Sequence, residues 1–426
     1  MTGPGASRSY RVLVHYDFRL LWSAELLSMI GSQIQRVAIA WHVYELTGDP
    51  FMLGLLGLCR FVPVILFGVA GGVMADRGDR RMTLIASQTV LFILALTLAG
   101  LTIGGSISLV AIYVITVLSS TVEGVSNPTR QALIPLVVPK SDIPSAAMMS
   151  TLAFQVAMIC GPAIAGFLIA GLGVGAAYVV DAFSFVAVIL SVLVMRTRPP
   201  RIRAEVSGIA AALEGLRFMR RTPVLLGVMS ADFVATFFGA TTTLMPIFAE
   251  DVLNVGPQGL GFLLAAPAAG AVVVATALSA TRLPDKAGIG VILSICAYGG
   301  CLVGFGLSTN FMLSLLFLAG SGAADVLSAS LRHATRTLLS PDELRGRVAA
   351  VHRTLAVGGP QLGEFRAGVT ASYVGAGQAV AFGGAATVVS AIVISYLLPA
   401  IPRYRFSQSV VTRSEDSLSP SAPDPS

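Results

Sequence analysis

Residues 76–81 read DRGDRR, and residues 82–103 read MTLIASQTVLFILALTLAGLTI. Five charges crowd into the first six residues, and the next charged side chain is Glu123. A helix rises ~1.5 Å per residue, so the run Met82–Ile103 can cross a ~30 Å hydrocarbon core. A charged turn leading into a charge-free run of that length is the pattern of a membrane-surface loop and the helix after it.

The rest of the chain repeats this pattern. Of 426 residues, 55% are hydrophobic and 12% charged, about half the ~25% charge of soluble domains. That excludes a soluble enzyme, and the apolar content excludes a disordered chain. Twelve apolar segments stand between Gly, Pro and charged breaks. The first six are Phe18–Tyr44, Met52–Ala75, Met82–Ile103, Ile107–Asn127, Ser145–Ala170 and Val174–Met195. The second six are Val224–Ala249, Gly259–Ala280, Gly288–Leu307, Met312–Leu331, Val348–Tyr373 and Ala376–Leu398. The expected organisation is therefore an N-terminal extension (1–17), a six-helix half (18–195), a linker (196–223), a second half (224–398) and a disordered tail (399–426). In the linker, Ile209, Leu213 and Leu216 recur at helical spacing among Arg217, Arg220 and Arg221. This fits either a short helix on an anionic leaflet or a plain connector.

Lysine and arginine set the orientation. Loops after even-numbered segments, with both termini and the adjoining helix ends, hold 25 of the 28 basic residues, and loops after odd-numbered segments hold none. The positive-inside rule then places both termini and the linker in the cytoplasm. A 202-residue shift superposes Glu123 on Asp325, Arg130 on Arg332, Gly166 on Gly368 and Gly173 on Gly375. Nearer the start of each half the shift is 207, matching Ser23-Ala24-Glu25 to Ser230-Ala231-Asp232. Two parallel six-helix repeats are an architecture of secondary transporters.

Other classes find no support. Basic residues form no stripe for a phosphate backbone, and the four cysteines sit inside apolar runs as small hydrophobes. The string Gly171-Leu-Gly173-Val-Gly-Ala176 lacks a preceding strand and reads as a turn between helices. Neither lysine, Lys140 or Lys286, follows glycine as a Walker motif needs, and the four histidines are dispersed. No cofactor, metal or nucleic acid is expected.

The stretch Gly72-Val-Met-Ala-Asp76-Arg77-Gly-Asp79-Arg80-Arg81 resembles the signature motif of the major facilitator superfamily, with Asp79 where the motif has its second glycine. Asn127-Pro-Thr-Arg130-Gln-Ala-Leu-Ile-Pro135, Pro341-Asp342-Glu343-Leu-Arg345-Gly-Arg347 and Leu362-Gly-Glu364-Phe-Arg366-Ala-Gly are similar to the enterobactin-exporter-like branch, the transmembrane secretion effectors. The resemblance spans about Phe18 to Pro402. It implies that Asp76 and the arginines Arg77, Arg80 and Arg81, with Asp342 and Glu343 facing them, latch the cytoplasmic side closed. Gly161-Pro162-Ala-Ile-Ala-Gly166 resembles part of the drug-antiporter motif, although ordinary helix packing explains it equally well.

Ionisable residues inside the spans each cost ~2.5–3.5 kcal/mol at a helix centre and so ask for a role. They are Glu25, Glu123, Asp181, Asp232, Asp325 and Glu364 against Arg36, Arg60 and Arg366. The resemblance implies that helices 1, 4, 7 and 10 line a central cavity, which makes Glu25, Arg36, Glu123, Asp232 and Asp325 candidates for proton coupling and substrate binding. Glu123 and Asp325 could equally be structural partners of Arg130 or Arg332. Arg60, Glu364 and Arg366 fit ion pairs between the halves, and Asp181 a structural place. Glu25 and Arg36 lie three turns, or ~16 Å, apart on one helix face, too far to pair. That leaves Glu25 free to exchange a proton. The expected protein is a monomeric, proton-coupled exporter of a small organic molecule such as a siderophore or macrolide. Uptake and a non-transporting sensor are the alternatives.

Overall fold

The structure, a computed structural model, describes residues 10–77, 79–197, 209–281 and 284–407, with side chains omitted at a few of these positions. They form helices throughout, with no strand. We label the long helices α1 (Tyr16–Thr47), α2 (Pro50–Arg77), α3 (Arg80–Ile103), α4 (Leu109–Leu133), α5 (Ile143–Leu172), α6 (Val174–Val194), α7 (Pro223–Gly239), α8 (Gly256–Ala280), α9 (Ala287–Gly306), α10 (Phe311–Leu339), α11 (Asp342–Val374) and α12 (Ala376–Leu397). Ten helical stretches are long and apolar enough to cross a membrane. The two long helices outside that set are α1 and α11, which also carry Glu25, Arg36, Glu364 and Arg366. The charges that make them informative are what dilute their apolar character.

Local chemistry sets the helix ends. Asp79 accepts hydrogen bonds from the backbone N–H groups of Arg81 and Met82 and so caps α3, which accounts for an aspartate where the superfamily motif has glycine. Ser108 and Asn310 cap α4 and α10 in the same way. Gly173 and Gly375, at φ +81° and +85°, turn α5 into α6 and α11 into α12 through a single residue. Their equivalence under the 202-residue shift shows that the repeat extends to the turns.

Three expectations need correction. The seventh segment is not one helix: α7 stops at Gly239, Ala240 is extended, and the chain resumes as a short turn (Thr242–Leu244), a helical turn (Met245–Ile247) and a π turn (Phe248–Val252). Pro246 lacks the N–H that would continue the ladder to residue 242. The linker helix Ile209–Arg221 rests on protein: Met219 is buried with Leu225, Met229 and Val348, and Glu214 pairs with Arg347 of α11. The tail is ordered at its start, where Ile401 and Tyr404 are buried against α9 and Asp285 accepts the Ser407 N–H at 2.8 Å; residues 408–426 lie outside the described set.

Among the described residues the halves pack most closely from one end to mid-bundle, where Gly358 of α11 meets Phe61 of α2. A single apolar cluster joins Trp41, Leu53 and Ala165 of the first half to Phe248, Leu260 and Ala371 of the second, at the end remote from the chain termini. There a Cβ on Gly54 of α2 would stand 2.9 Å from Gly368 of α11, and one on Gly261 of α8 would stand 2.6 Å from the Pro162 carbonyl of α5. The Tyr44 hydroxyl donates to Asp251 across the same junction at 2.6 Å. Clusters nearer the termini each stay within one half. The bundle is thus sealed at one end and parted at the other.

Candidate functional site: buried ion pairs around central cavities

Helix α1 presents Glu25 and Arg36, and α4 presents Glu123 and Arg130 two turns apart. Arg130 reaches Glu25 at 3.7 Å with both side chains nearly dry, and Arg36 reaches Glu123 at 3.7 Å with both partly exposed. Glu25 and Arg36 are apart, as their spacing requires, but Glu25 is not free: Arg130 compensates it. In the second half, α10 turns Arg332 toward α7, 2.8 Å from Asp232 and 3.4 Å from Asp325. Its other nitrogen donates to Ser328 at 2.7 Å, and His352 of α11 stands 3.6 Å from Asp232.

Between the halves, Arg60 of α2 and Glu364 of α11 are charge partners in a buried setting. Both line a cavity of about 350 Å³ with Gln33, Arg36 and Thr241. A second cavity of about 460 Å³ shares Arg36, Arg60 and Gln361 and adds Glu123 and Asn127. A third, about 310 Å³, holds Asp232, Asp325, Arg332 and His352 and meets the second at Ala356. Arg36 therefore lines both of the first two cavities. Arg366 does not join the Glu364 pair. It donates to the Phe238 carbonyl at 2.8 Å and lies over the Phe238 ring, closing the exposed carbonyl end of the broken α7.

Other motif residues have mainly packing contacts. Gly161 lets α5 meet Gln33 and Ile30 of α1, and Gly166 lets it meet Pro257 of α8; Pro162 also lines the 350 Å³ cavity. Arg81 donates to the Leu193 carbonyl at 2.7 Å and Arg80 to that of Ala132 at 3.5 Å, both at helix ends of their own half. The side chains of Gly72, Asp76, Arg77, Asp342 and Glu343 lie outside the described residues. Sequence reading missed Arg130 and Arg332 as primary partners of Glu25 and Asp232, and missed His352. Among the described residues no group of His, Cys, Asp or Glu is arranged to hold a metal.

Paired helical halves around cavities with buried ion pairs define a multi-span membrane transporter, not an enzyme. The family model described as transmembrane secretion effector matches residues 7–413, and the chain belongs to that branch of the major facilitator superfamily. Over 407 residues, 94% of this chain and 96% of the relative, it is 23% identical to the enterobactin exporter EntS of Shigella boydii serotype 4 (strain Sb227). Its fold is similar to that of a bacterial homolog of the human lysosomal transporter Spinster in an inward-facing, unoccupied conformation, with TM-score 0.68, 16% identity and coverage of 95% and 98% of the two chains. A POT family transporter crystallised with a thioalcohol-conjugated peptide gives TM-score 0.71 at 10% identity, covering 90% and 96%. These relationships identify a multi-pass protein of the bacterial inner membrane.

Proposed function

We propose that this transporter has twelve crossings with cytoplasmic termini and exports a small organic molecule, of siderophore or macrolide type, in exchange for protons by alternating access. The observation carrying this reading is the central cavity system flanked by Arg36–Glu123 on one side and the Asp232–Arg332–Asp325 group on the other. Arg36 and Arg60 suit a polar or anionic substrate. Asp232 and Asp325 share Arg332, with Arg336 and His352 beside them, a cluster of titratable and charged groups in which a proton can be taken up and released. With the positive-inside orientation, the parted end opens to the cytoplasm, the side from which an exporter loads. The latch of Asp76, Arg77, Arg80, Arg81, Asp342 and Glu343 belongs to the opposite, cytoplasm-closed state. Export also draws on the likeness to the enterobactin exporter. A proton entering through 100 mV releases about 2.3 kcal/mol and one pH unit adds about 1.4, together enough for a several-hundredfold gradient of a neutral solute.

The test is proton flux in inside-out vesicles challenged in turn with a catecholate siderophore, a macrolide and a lipophilic cation. Proton release coupled to uptake of one of them supports the reading; transport without proton movement overturns the coupling. Orientation is tested separately. Single cysteines at Asp49 and Asn310 should label with an impermeant maleimide from outside and one at Arg201 should not; external labelling at Arg201 reverses the assignment.

A further inference from the structure

Asp181 of α6 takes no part in the pairs above. It is fully buried, and neither carboxyl oxygen has a hydrogen-bond partner. Its side chain lies against Gly31 of α1, where a Cβ would stand 3.0 Å from Oδ1, with the Ser184 side chain alongside. The charged groups that reach it electrostatically are Glu123 of α4 and Arg36 of α1. One helical turn away, toward the sealed end, Tyr178 shares its face of α6, and the Tyr178 hydroxyl is 3.2 Å from His42 Nδ1 in a buried contact. Glu45, three residues beyond His42, exerts its charge on Tyr178. The other helices packed on α6 add little: α3 meets it with Leu91 and Ala95, its only charges being Arg80 and Arg81 at its start, and α5 has Cys160 as its only titratable side chain.

We propose that Asp181 is a proton-binding site of the N-terminal half, set in the α1–α6 seam and not in the substrate cavities. An ionised carboxylate in a fully buried place with at most the Ser184 hydroxyl beside it is costly, whereas the neutral acid fits it. When Asp181 gives up its proton, its charge competes with Glu123 for Arg36, the side chain that lines the cavities. With Asp181 neutral the Arg36 guanidinium stays with the Glu123 carboxylate, and with Asp181 ionised it is drawn toward α6, so one proton on Asp181 changes how the cavity-lining arginine is held.

This inference rests on the proton-coupled reading, but its first measurement needs no substrate. Infrared difference spectra of the purified full-length protein in lipid, taken across a pH jump, should show the carbonyl stretch of a protonated carboxylic acid. That band should be missing in Asp181→Asn and present in Asp232→Asn. A band unchanged in Asp181→Asn overturns the site. Because Asp181→Asn could disturb the α1–α6 contact, Ser184→Ala supplies the second arm: it keeps the acid, removes the neighbouring hydroxyl and should move the carbonyl band to a new frequency. A band left at the wild-type position overturns the site. If the Asp181 band is present but wild-type transport moves no protons, the exchange mechanism fails while the proton site stands, so the two failures are told apart.

Discussion

In the N-terminal half four charges form two separate pairs, Glu25 with Arg130 and Arg36 with Glu123, while in the C-terminal half Asp232 and Asp325 share Arg332, with Arg336 and His352 beside them. The acids and the α4 and α10 arginines occupy repeat-related positions. The asymmetry comes from one position: the 207-residue shift that relates Glu25 to Asp232 carries Arg36 to Thr243. Thr243 lies in the turn after the break in α7 and is buried, with no hydrogen-bond partner for its hydroxyl. The first half thus holds an arginine on α1 where the second has a threonine, and the second half gathers its cations, Arg332 and Arg336, with His352 around two acids instead.

The comparison can be broken most forcefully at the shared arginine. Arg332→Gln removes the 2.8 Å partner of Asp232 and the 3.4 Å partner of Asp325 in one step. Breaking a buried pair costs about 3–5 kcal/mol, so the variant should lose most of its folded fraction in a detergent thermal scan. Arg130→Gln isolates only Glu25 and should cost less. Equal losses would mean that the halves are balanced alike.

Transport sharpens the same contrast with a smaller effect. Asp232→Asn should abolish accumulation against a gradient yet retain downhill substrate exchange, because it removes the charge that calls for a proton. Glu25→Gln should slow the cycle and still pump, because its acid is compensated by Arg130. If Glu25→Gln uncouples and Asp232→Asn does not, the proton belongs to the half whose four charges form two separate pairs.

How much of this was legible follows from which helices carry it. Apolar runs marked out the long helices except for the break in the seventh, and the repeat shift anticipated the paired glycine turns. Counting charges span by span failed at Arg130 and Arg332, because both were assigned to loops. In the structure α4 continues to Leu133 and α10 to Leu339, so the guanidinium groups reach back along their own helices toward α1 and α7. The signal was available, since the 202-residue shift already matched arginine to arginine and acid to acid. The break in α7 had a signal too, in Pro246 after three threonines, masked by the apolar residues around it. His352 had none, as a lone histidine on a charged helix end looks like a surface residue.

A milder contrast concerns how each half holds the chain that leaves it. Asp17, at the start of α1, accepts the N–H groups of Arg196 at 3.0 Å and Thr197 at 2.8 Å and also the Thr197 hydroxyl. Asp285 accepts the N–H of Ser407 at 2.8 Å and its hydroxyl at 3.1 Å. Asp17 is buried and Asp285 exposed. Burial alone would raise the Asp17 carboxyl, but the hydrogen bonds from Thr197 and Arg196 outweigh it and hold the group below its usual range. A carboxyl depressed by folding stabilises the native state above its unfolded value of about 3.9, and that contribution is lost as pH falls through the lower native value. Asp17→Asn should therefore cost about 1 kcal/mol at neutral pH. The gap in apparent Tm between wild type and variant should narrow as the pH is taken below about 4. Asp285→Asn should give a smaller gap, since water competes for its partners. A gap for Asp17→Asn that stays constant or widens on acidification would show that the ionised carboxylate does not tether the linker to α1.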